Sequence, residues 1–105
     1  MAVKVLITRR FKPDAMKKSY HLLMELRSLA TLQRGYISGQ TLLSVADPSK
    51  VTVVSTWTSG KRWDEWYGSL KRKEFCTRVE PLLEAPEEVE VFMVGEKTPE
   101  WVDMA

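Results

Sequence analysis

The side chains in this chain that could carry chemistry are of few kinds. Its 105 residues include four Trp but only one Cys and one His. A single Cys cannot form an internal disulfide, and one Cys with one His does not complete the ligand set of a structural zinc site. The sequence therefore predicts no metal site. It directs attention to the aromatic residues, which could form a pocket for a flat aromatic ligand.

Length and charge narrow the classes of function. A chain of this length buries one hydrophobic core and is too short for two domains. Its 16 Lys and Arg against 14 Asp and Glu give a net charge of +2, far from the concentrated positive charge of nucleic-acid-binding proteins. No segment approaches the ~18 apolar residues of a membrane-spanning helix, and the N-terminus has no secretory pattern. We therefore expect a cytoplasmic protein that binds neither nucleic acid nor membranes.

The first third of the chain predicts a strand and a helix. Apolar residues alternate from Val3 to Phe11, which indicates a strand. Pro13 suits the first turn of a helix, and apolar stripes that include Tyr20 predict a long amphipathic helix after it. Gly35 is placed to adopt the left-handed conformation that ends a helix.

The remaining elements follow from the same patterns. Residues Tyr36 to Val45 and Val51 to Trp57 are rich in β-branched and aromatic side chains, and the turn residues between them predict an antiparallel hairpin. Ser59 is a candidate N-cap for a short helix, and Gly68 separates that helix from a second helical piece. Alternating apolar residues from Val89 to Met93 predict the last strand.

The order β-α-β-β-α-β predicts an α+β, ferredoxin-like fold over residues 2–95, followed by a polar tail at 96–105 that contains Trp101. Three of the strands also carry large apolar residues on their second face, namely Leu6, Val54 and Phe92. Helices cover only one face of such a sheet. We therefore expect the other face to pack against a second copy of the chain, which gives a homodimer.

Several short segments recur together in one protein family: Gly35-Tyr36-Ile37-Ser38-Gly39, Ser55-Thr56-Trp57-Thr58-Ser59, Trp63-Asp64-Glu65-Trp66 with Ser69, and Val79-Glu80-Pro81-Leu82-Leu83. With these segments the chain resembles the antibiotic biosynthesis monooxygenase (ABM) domain family over about residues 2–95. The resemblance implies a homodimeric α+β barrel with a pocket between sheet and helices. It also implies a monooxygenase that uses no cofactor and acts on a phenol- or quinol-type aromatic. The alternative is a non-catalytic ligand-binding or structural homodimer of unknown function.

The haem-degrading branch of this family uses an Asn, a Trp and a His that binds the haem iron. These positions fall on Leu6, Trp66 and Cys76 when the matching motifs are superimposed without gaps. Only the Trp is retained, and a Cys ligand would give different haem chemistry. We therefore expect no haem.

The aromatic pattern and the family positions define a set of candidate substrate-binding residues: Leu6, Tyr36, Trp57, Trp63, Trp66, Tyr67, Phe75 and Cys76. Taken singly, each aromatic is explained as well or better by core packing, because aromatic side chains are the largest apolar units available to a small domain. Trp66 is the exception, because its helical phase and the family position agree.

The candidate catalytic residues are Trp66, His21 and Arg9. His21 is the only histidine and so the obvious candidate for a general base, but it shares its side of the helix with charged residues, which favours a solvated position. A substrate that ionises in solution would need no base. Arg9 has apolar neighbours on its face of the strand. It could bind a phenolate or carboxylate, or its guanidinium could extend to water.

Cys76 and two basic segments complete the candidates. The pKa of Cys76 could be lowered by the nearby Arg78, but a buried, inert thiol is the simpler interpretation. The segments Lys61-Arg62 and Lys71-Arg72-Lys73 are interpreted as solvated helix surfaces.

Overall fold

A computed structural model of the chain describes residues 1–95. The predicted tail and its Trp101 lie outside these residues. The elements are, in chain order, β1 (Val3–Arg10), a 3-10 turn (Pro13–Ala15), α1 (Met16–Thr31), β2 (Tyr36–Leu43), β3 (Lys50–Trp57), α2 (Gly60–Tyr67), α3 (Leu70–Val79), a second 3-10 turn (Glu80–Leu82) and β4 (Glu88–Met93).

The strands form one antiparallel sheet in the order β2-β3-β1-β4. Helical residues pack on one side of it, because the buried β1 residues share a core cluster with Leu26 of α1 and with Trp63 and Trp66 of α2. The predicted α+β, ferredoxin-like fold is therefore confirmed. None of the helices within residues 1–95 is long and apolar enough to cross a membrane.

Strand alternation gives the sheet two distinct faces. On β1, Val3, Val5, Ile7 and Arg9 are buried against the helices, and we call this side the inner face. The other side is the outer face, where Leu6 lies between Val54 of β3 and Glu90 of β4. Residues directly opposite in an antiparallel pair point to the same side, so the register assigns every strand position to a face.

Several boundaries differ from the prediction, and β2 ends at Leu43 rather than Val45. Strand β1 ends at Arg10, and the fully buried Phe11 makes only an isolated bridge to Leu83. Helix α1 ends at Thr31 rather than near Gly35, because the amide of Leu32 bonds to the carbonyl of Leu29 and tightens the last turn. Gly35 still has the predicted left-handed backbone, with φ of 89°, in the turn that enters β2.

The predicted apolar stripe of α1 is wrong at Tyr20. That side chain is exposed, and the neighbouring Ser19 is buried instead. The serine hydroxyl donates a 2.6 Å hydrogen bond to the carbonyl of Ala15, which satisfies its polar atom inside the protein. Hydrophobic periodicity assigns the inward position to the aromatic Tyr20. The smaller Ser19 occupies it instead, because its hydroxyl has a hydrogen-bond partner in Ala15.

The hairpin turn between β2 and β3 is organised by Asp47. Its carboxylate accepts hydrogen bonds from the amide and the hydroxyl of Ser49, at 3.0 and 2.6 Å, and it pairs with Arg10. These contacts lower the pKa of Asp47, and the hydrogen bond from the Ser49 hydroxyl has the largest effect.

Serine caps fix the starts of α2 and α3. The hydroxyl of Ser59 accepts from the amide of Arg62, as the sequence predicted, and that of Ser69 accepts from the amide of Arg72. With these starts, α2 buries Trp63 and Trp66, and the first turn of α3 buries Arg72. The caps therefore set the helical phase that brings these three side chains to the inner face.

Candidate functional site

A cavity lies between the inner face and the helices, and we call it the aromatic cavity. Its walls include Tyr36, Trp57, Trp63 and Trp66. Its volume is about 50 Å³. That is room for a few water molecules, whereas an apolar cavity that accepts one benzene ring measures about 150 Å³. A ring-bearing ligand would therefore require the cavity to widen.

The aromatic wall is a chain of edge-to-face contacts. The rings of Tyr36 and Trp57 are 5.4 Å apart and nearly perpendicular, and those of Trp57 and Trp63 are 5.8 Å apart at 63°. The indole nitrogen of Trp57 donates to the hydroxyl of Ser55 at 3.0 Å, so its polar atom is satisfied inside the core. Such contacts hold the rings in defined orientations.

Two glycines make this arrangement possible. A Cβ at Gly39 would overlap the hydroxyl of Tyr36, so glycine lets that ring occupy its present position. A Cβ at Gly35 would lie 2.5 Å from side-chain carbons of Arg62, and the backbone there is left-handed. Both glycines belong to the segment that carries part of the family resemblance.

Arginine side chains form the charged part of the cavity wall. Arg9 comes from β1, Arg72 from α3 and Arg27 from α1. Arg27 donates to the carbonyl of Gly39 at 2.7 Å. Arg9 and Arg72 are almost completely buried, at 2% and 4% exposure.

One carboxylate bridges the two buried arginines. Oε2 of Glu87 accepts a 2.9 Å hydrogen bond from Nε of Arg9 and lies 2.9 Å from Nη2 of the same side chain, and Oε1 accepts from Nη2 of Arg72 at 3.2 Å. Burial lowers the pKa of the Arg9 guanidinium, and Glu87 opposes that shift. Arginine nevertheless stays protonated in proteins. The cavity wall therefore carries more positive than negative charge.

The structure corrects the expectation for Arg72 and agrees with the desolvation expected for Arg9. Arg72 was expected on a solvated helix surface, but it is buried with its guanidinium 4.7 Å from the Tyr67 ring and 5.6 Å from that of Trp63. Its contacts with the aromatic rings and with Glu87 replace the water it loses. Arg9 was expected to be partly desolvated. Its side chain points inward, as its strand parity indicates, and its guanidinium does not extend to water.

Five predicted site residues line the aromatic cavity: Arg9, Tyr36, Trp57, Trp63 and Trp66. Tyr67 is exposed and stacks behind Trp63 at 5.4 Å, and Phe75 packs against the core clusters away from the cavity wall. Leu6 lies on the outer face. His21 is exposed on α1, the solvated position that its helical phase favoured.

Cys76 borders a second cavity, which we call the thiol cavity. Its volume is about 190 Å³, and Glu80 and Glu87 are also on its walls. Burial raises the pKa of the Cys76 thiol, while Arg72 acts in the opposite direction. Arg78, the residue that could have lowered this pKa, lies over the Phe75 ring at 5.1 Å and 3.9 Å from Glu25.

Sequence reasoning missed three residues of the site: Arg27, Arg72 and Glu87. A signal existed for Arg27, because a charged residue on an apolar helical stripe must find a buried partner or a cavity. No comparable signal marks Glu87, whose contact with Arg9 spans 78 residues. Within residues 1–95, no three His, Cys, Asp or Glu side chains are grouped as metal ligands would be.

The comparisons with known proteins agree with this architecture. The family model described as antibiotic biosynthesis monooxygenase matches residues 2–78. Among solved structures, Rv0793 from Mycobacterium tuberculosis is 21% identical with a TM-score of 0.83, over 94% of this chain and 100% of that one. SnoaB, a cofactor-independent oxygenase from Streptomyces nogalater, is 13% identical with a TM-score of 0.81, over 94% and 98%.

A conserved protein from Methanosarcina mazei Go1 is similar too, at 18% identity and a TM-score of 0.82, over 88% of this chain and 91% of that one. At these identities the likeness to solved structures concerns the fold. The search among curated proteins finds no match.

Proposed function

This chain belongs to the antibiotic biosynthesis monooxygenase family, and from that premise we propose that it is a cofactor-independent monooxygenase for a phenol- or quinol-type aromatic bound in the aromatic cavity. One observation carries the proposal. The same cavity combines the faces of Tyr36 and three Trp residues with the guanidinium groups of Arg9, Arg27 and Arg72. Aromatic faces suit a flat ring, and excess positive charge suits an oxyanion on that ring.

The charge of the wall explains how a substrate could be activated without a nearby histidine. Oxygenation without a cofactor requires the substrate to supply electrons to O₂, which a phenolate or enolate does far better than its neutral form. A guanidinium beside the substrate oxygen lowers the pKa of that oxygen and stabilises the anion. The side chains of the cavity thus bind the substrate and stabilise its anion once the proton has been released to solvent, and the rings exclude water from the intermediate.

An anthrone illustrates the balance of such a reaction. The enolate carbon reduces O₂ and forms a carbon–oxygen bond to give a peroxide. Cleavage of the oxygen–oxygen bond leaves one oxygen atom on the ring as a new carbonyl group. The other oxygen leaves as water with two hydrogens, so the substrate supplies all the electrons.

We also propose that the working unit is a homodimer formed through the outer face. Leu6 and Val54 face each other in adjacent strands there, and Phe92 and Leu42 are exposed on the same face. The register places these four side chains on a diagonal across the sheet. A continuous apolar stripe of this kind is suited to self-association about a twofold axis.

The alternative function is a non-catalytic ligand-binding or structural homodimer. The volume of the aromatic cavity, about 50 Å³, favours it, because a purely structural protein has no need of a ligand-sized space. The alternative predicts that no aromatic substrate drives oxygen consumption. A measurement of substrate-dependent oxygen consumption therefore distinguishes the two functions.

The test is oxygen uptake by the purified protein with 1,8-dihydroxyanthrone and with naphthohydroquinone, after subtraction of the rate without protein. We expect substrate-dependent uptake that Trp66→Phe slows about tenfold, because the smaller ring positions the substrate less well. Tyr20→Phe, an exposed aromatic on α1, is the matched control and retains the wild-type rate. Uptake that is absent, or the same in Trp66→Phe, would exclude catalysis at this site.

A further inference from the structure

The aromatic cavity and the thiol cavity are separated by an ion-pair cluster. Arg9 and Arg72 are on the wall of the aromatic cavity, and their common partner Glu87 is on the wall of the thiol cavity. The boundary between the two spaces is therefore formed in part by a carboxylate that sits between two guanidinium groups. Whatever moves this carboxylate changes the space available to a ligand.

We propose that Glu87 occupies the subsite of a ligand carboxylate, and that an aromatic carboxylate binds by displacing Glu87 from Arg9 and Arg72 and joining the two cavities. The proposal deepens the proposed function, on which it rests for the use of the aromatic cavity. It names a ligand class, an aromatic ring that bears a carboxylate. It also names Glu87 as the residue that controls access to the subsite.

The geometry of the cluster is suited to a carboxylate. Each oxygen of Glu87 contacts a different arginine, Oε2 at 2.9 Å from Arg9 and Oε1 at 3.2 Å from Arg72. A group with two oxygens on one carbon satisfies both guanidinium groups at once. A phenolate has a single oxygen, which could occupy only one of these two carboxylate oxygen positions.

Burial shows which partner of the cluster can move. Arg9 and Arg72 are 2% and 4% exposed, so neither can leave without a large loss of packing. The side chain of Glu87 is 21% exposed and follows the turn before β4, so it can rotate into water. Exchanging one carboxylate for another leaves both arginines paired, which avoids the cost of an uncompensated buried charge.

The sizes of the two cavities support the same conclusion. The aromatic cavity, about 50 Å³, is too small for a ring, and the thiol cavity, about 190 Å³, exceeds the ~150 Å³ that holds benzene. Joining them would place a bicyclic ring against Trp63 and Trp66 at one end and Cys76 at the other. The Glu87 side chain is the part of the barrier that the ligand would replace.

The test measures binding of 2-naphthoate and of its neutral analogue 2-naphthylmethanol by titration calorimetry, with the wild type and Glu87→Gln. Removing the internal carboxylate raises the fraction of molecules with an open subsite, so we expect Glu87→Gln to bind 2-naphthoate about tenfold more tightly. Binding of 2-naphthylmethanol changes less than twofold. Glu88→Gln is the matched control, because it removes the same charge from the adjacent exposed residue, and its naphthoate affinity equals that of the wild type.

If Glu87→Gln fails to fold, Glu87→Asp provides a second test of naphthoate binding. It keeps the charge, but its shorter side chain spans the two guanidinium groups poorly, so naphthoate affinity rises by about threefold. The proposal is overturned if folded Glu87 variants bind naphthoate no more tightly than the wild type, or if neither they nor the wild type bind it. Failure of the proposed function differs, because oxygen uptake is then absent while the naphthoate affinities still respond to Glu87.

Discussion

Arg9 and Leu6 lie three residues apart on β1, yet the charged side chain is buried and the apolar one is not. Arg9 is on the inner face, where Glu87 and the cavity wall surround its guanidinium. Leu6 is on the outer face and is only half-buried. Strand parity, rather than polarity, decides which of the two is enclosed by the fold.

The two faces are stabilised in different ways. On the inner face, aromatic contacts fill the core, and a carboxylate compensates the buried positive charge. On the outer face, polar pairs flank the apolar diagonal: Lys4 donates to Thr56 at 3.0 Å, and the hydroxyls of Thr8 and Thr52 are 3.2 Å apart. The inner face therefore contains the hydrophobic core and the candidate site, while the outer face is suited to contact with another molecule.

The strongest test of this division is Trp57→Ala on the inner face. Trp57 is fully buried and contacts both Tyr36 and Trp63, so its loss should reduce the free energy of unfolding by about 3–5 kcal/mol. Urea denaturation followed by circular dichroism measures this value. Tyr20→Ala, an exposed aromatic, should cost less than about 1 kcal/mol. Equal losses in the two variants would contradict the assigned role of the inner face.

Leu6→Lys tests the outer face and is the second largest effect expected. A charge in the middle of the apolar diagonal should weaken the proposed dimer by about 2 kcal/mol, roughly thirtyfold in the dissociation constant. Equilibrium sedimentation at micromolar concentration measures it. His21→Lys adds the same charge on the solvated side of α1 and should leave the distribution unchanged. A wild-type chain that sediments as a monomer would exclude the dimer altogether.

Asp47→Asn tests the hairpin turn, which lies outside both faces, and should have the smallest effect. The pKa of Asp47 is lowered by its hydrogen bonds to Ser49, so its stabilising contribution is present above the unfolded-state pKa of about 3.9 and is lost as the pH falls through the folded value. The variant should thus be less stable than the wild type at pH 7. The difference should vanish in strong acid, where the wild-type carboxyl is protonated. Urea midpoints across this pH range measure it, and a difference independent of pH would refute the assignment.

Local patterns in the sequence predicted most of the fold correctly. The alternation in β1, the hairpin of β2 and β3, the cap at Ser59 and the left-handed Gly35 all agree with the structure. Each depends on residues close in the chain, where backbone geometry and side-chain periodicity act directly. The errors at Tyr20 and at the end of α1 arose where tertiary packing and local hydrogen bonds outweighed periodicity.

The aromatic half of the candidate site could also be predicted: Trp66 from its family position and helical phase, and Trp57 and Trp63 as large apolar residues of the core. Its charged half could not. Arg72 was interpreted as a surface residue, since nothing in its own helix indicates the partner that compensates its burial.

By itself, the sequence determined the order of the elements, the two-faced strands and the family, because these depend on short-range periodicity and on motifs that can be read residue by residue. Only the tertiary structure decided that Glu87 would bridge Arg9 and Arg72, and that the aromatic cavity on the inner face would have the thiol cavity beside it. The physical reason is that a buried charge is stable only with a partner, and that partner can come from any distance along the chain.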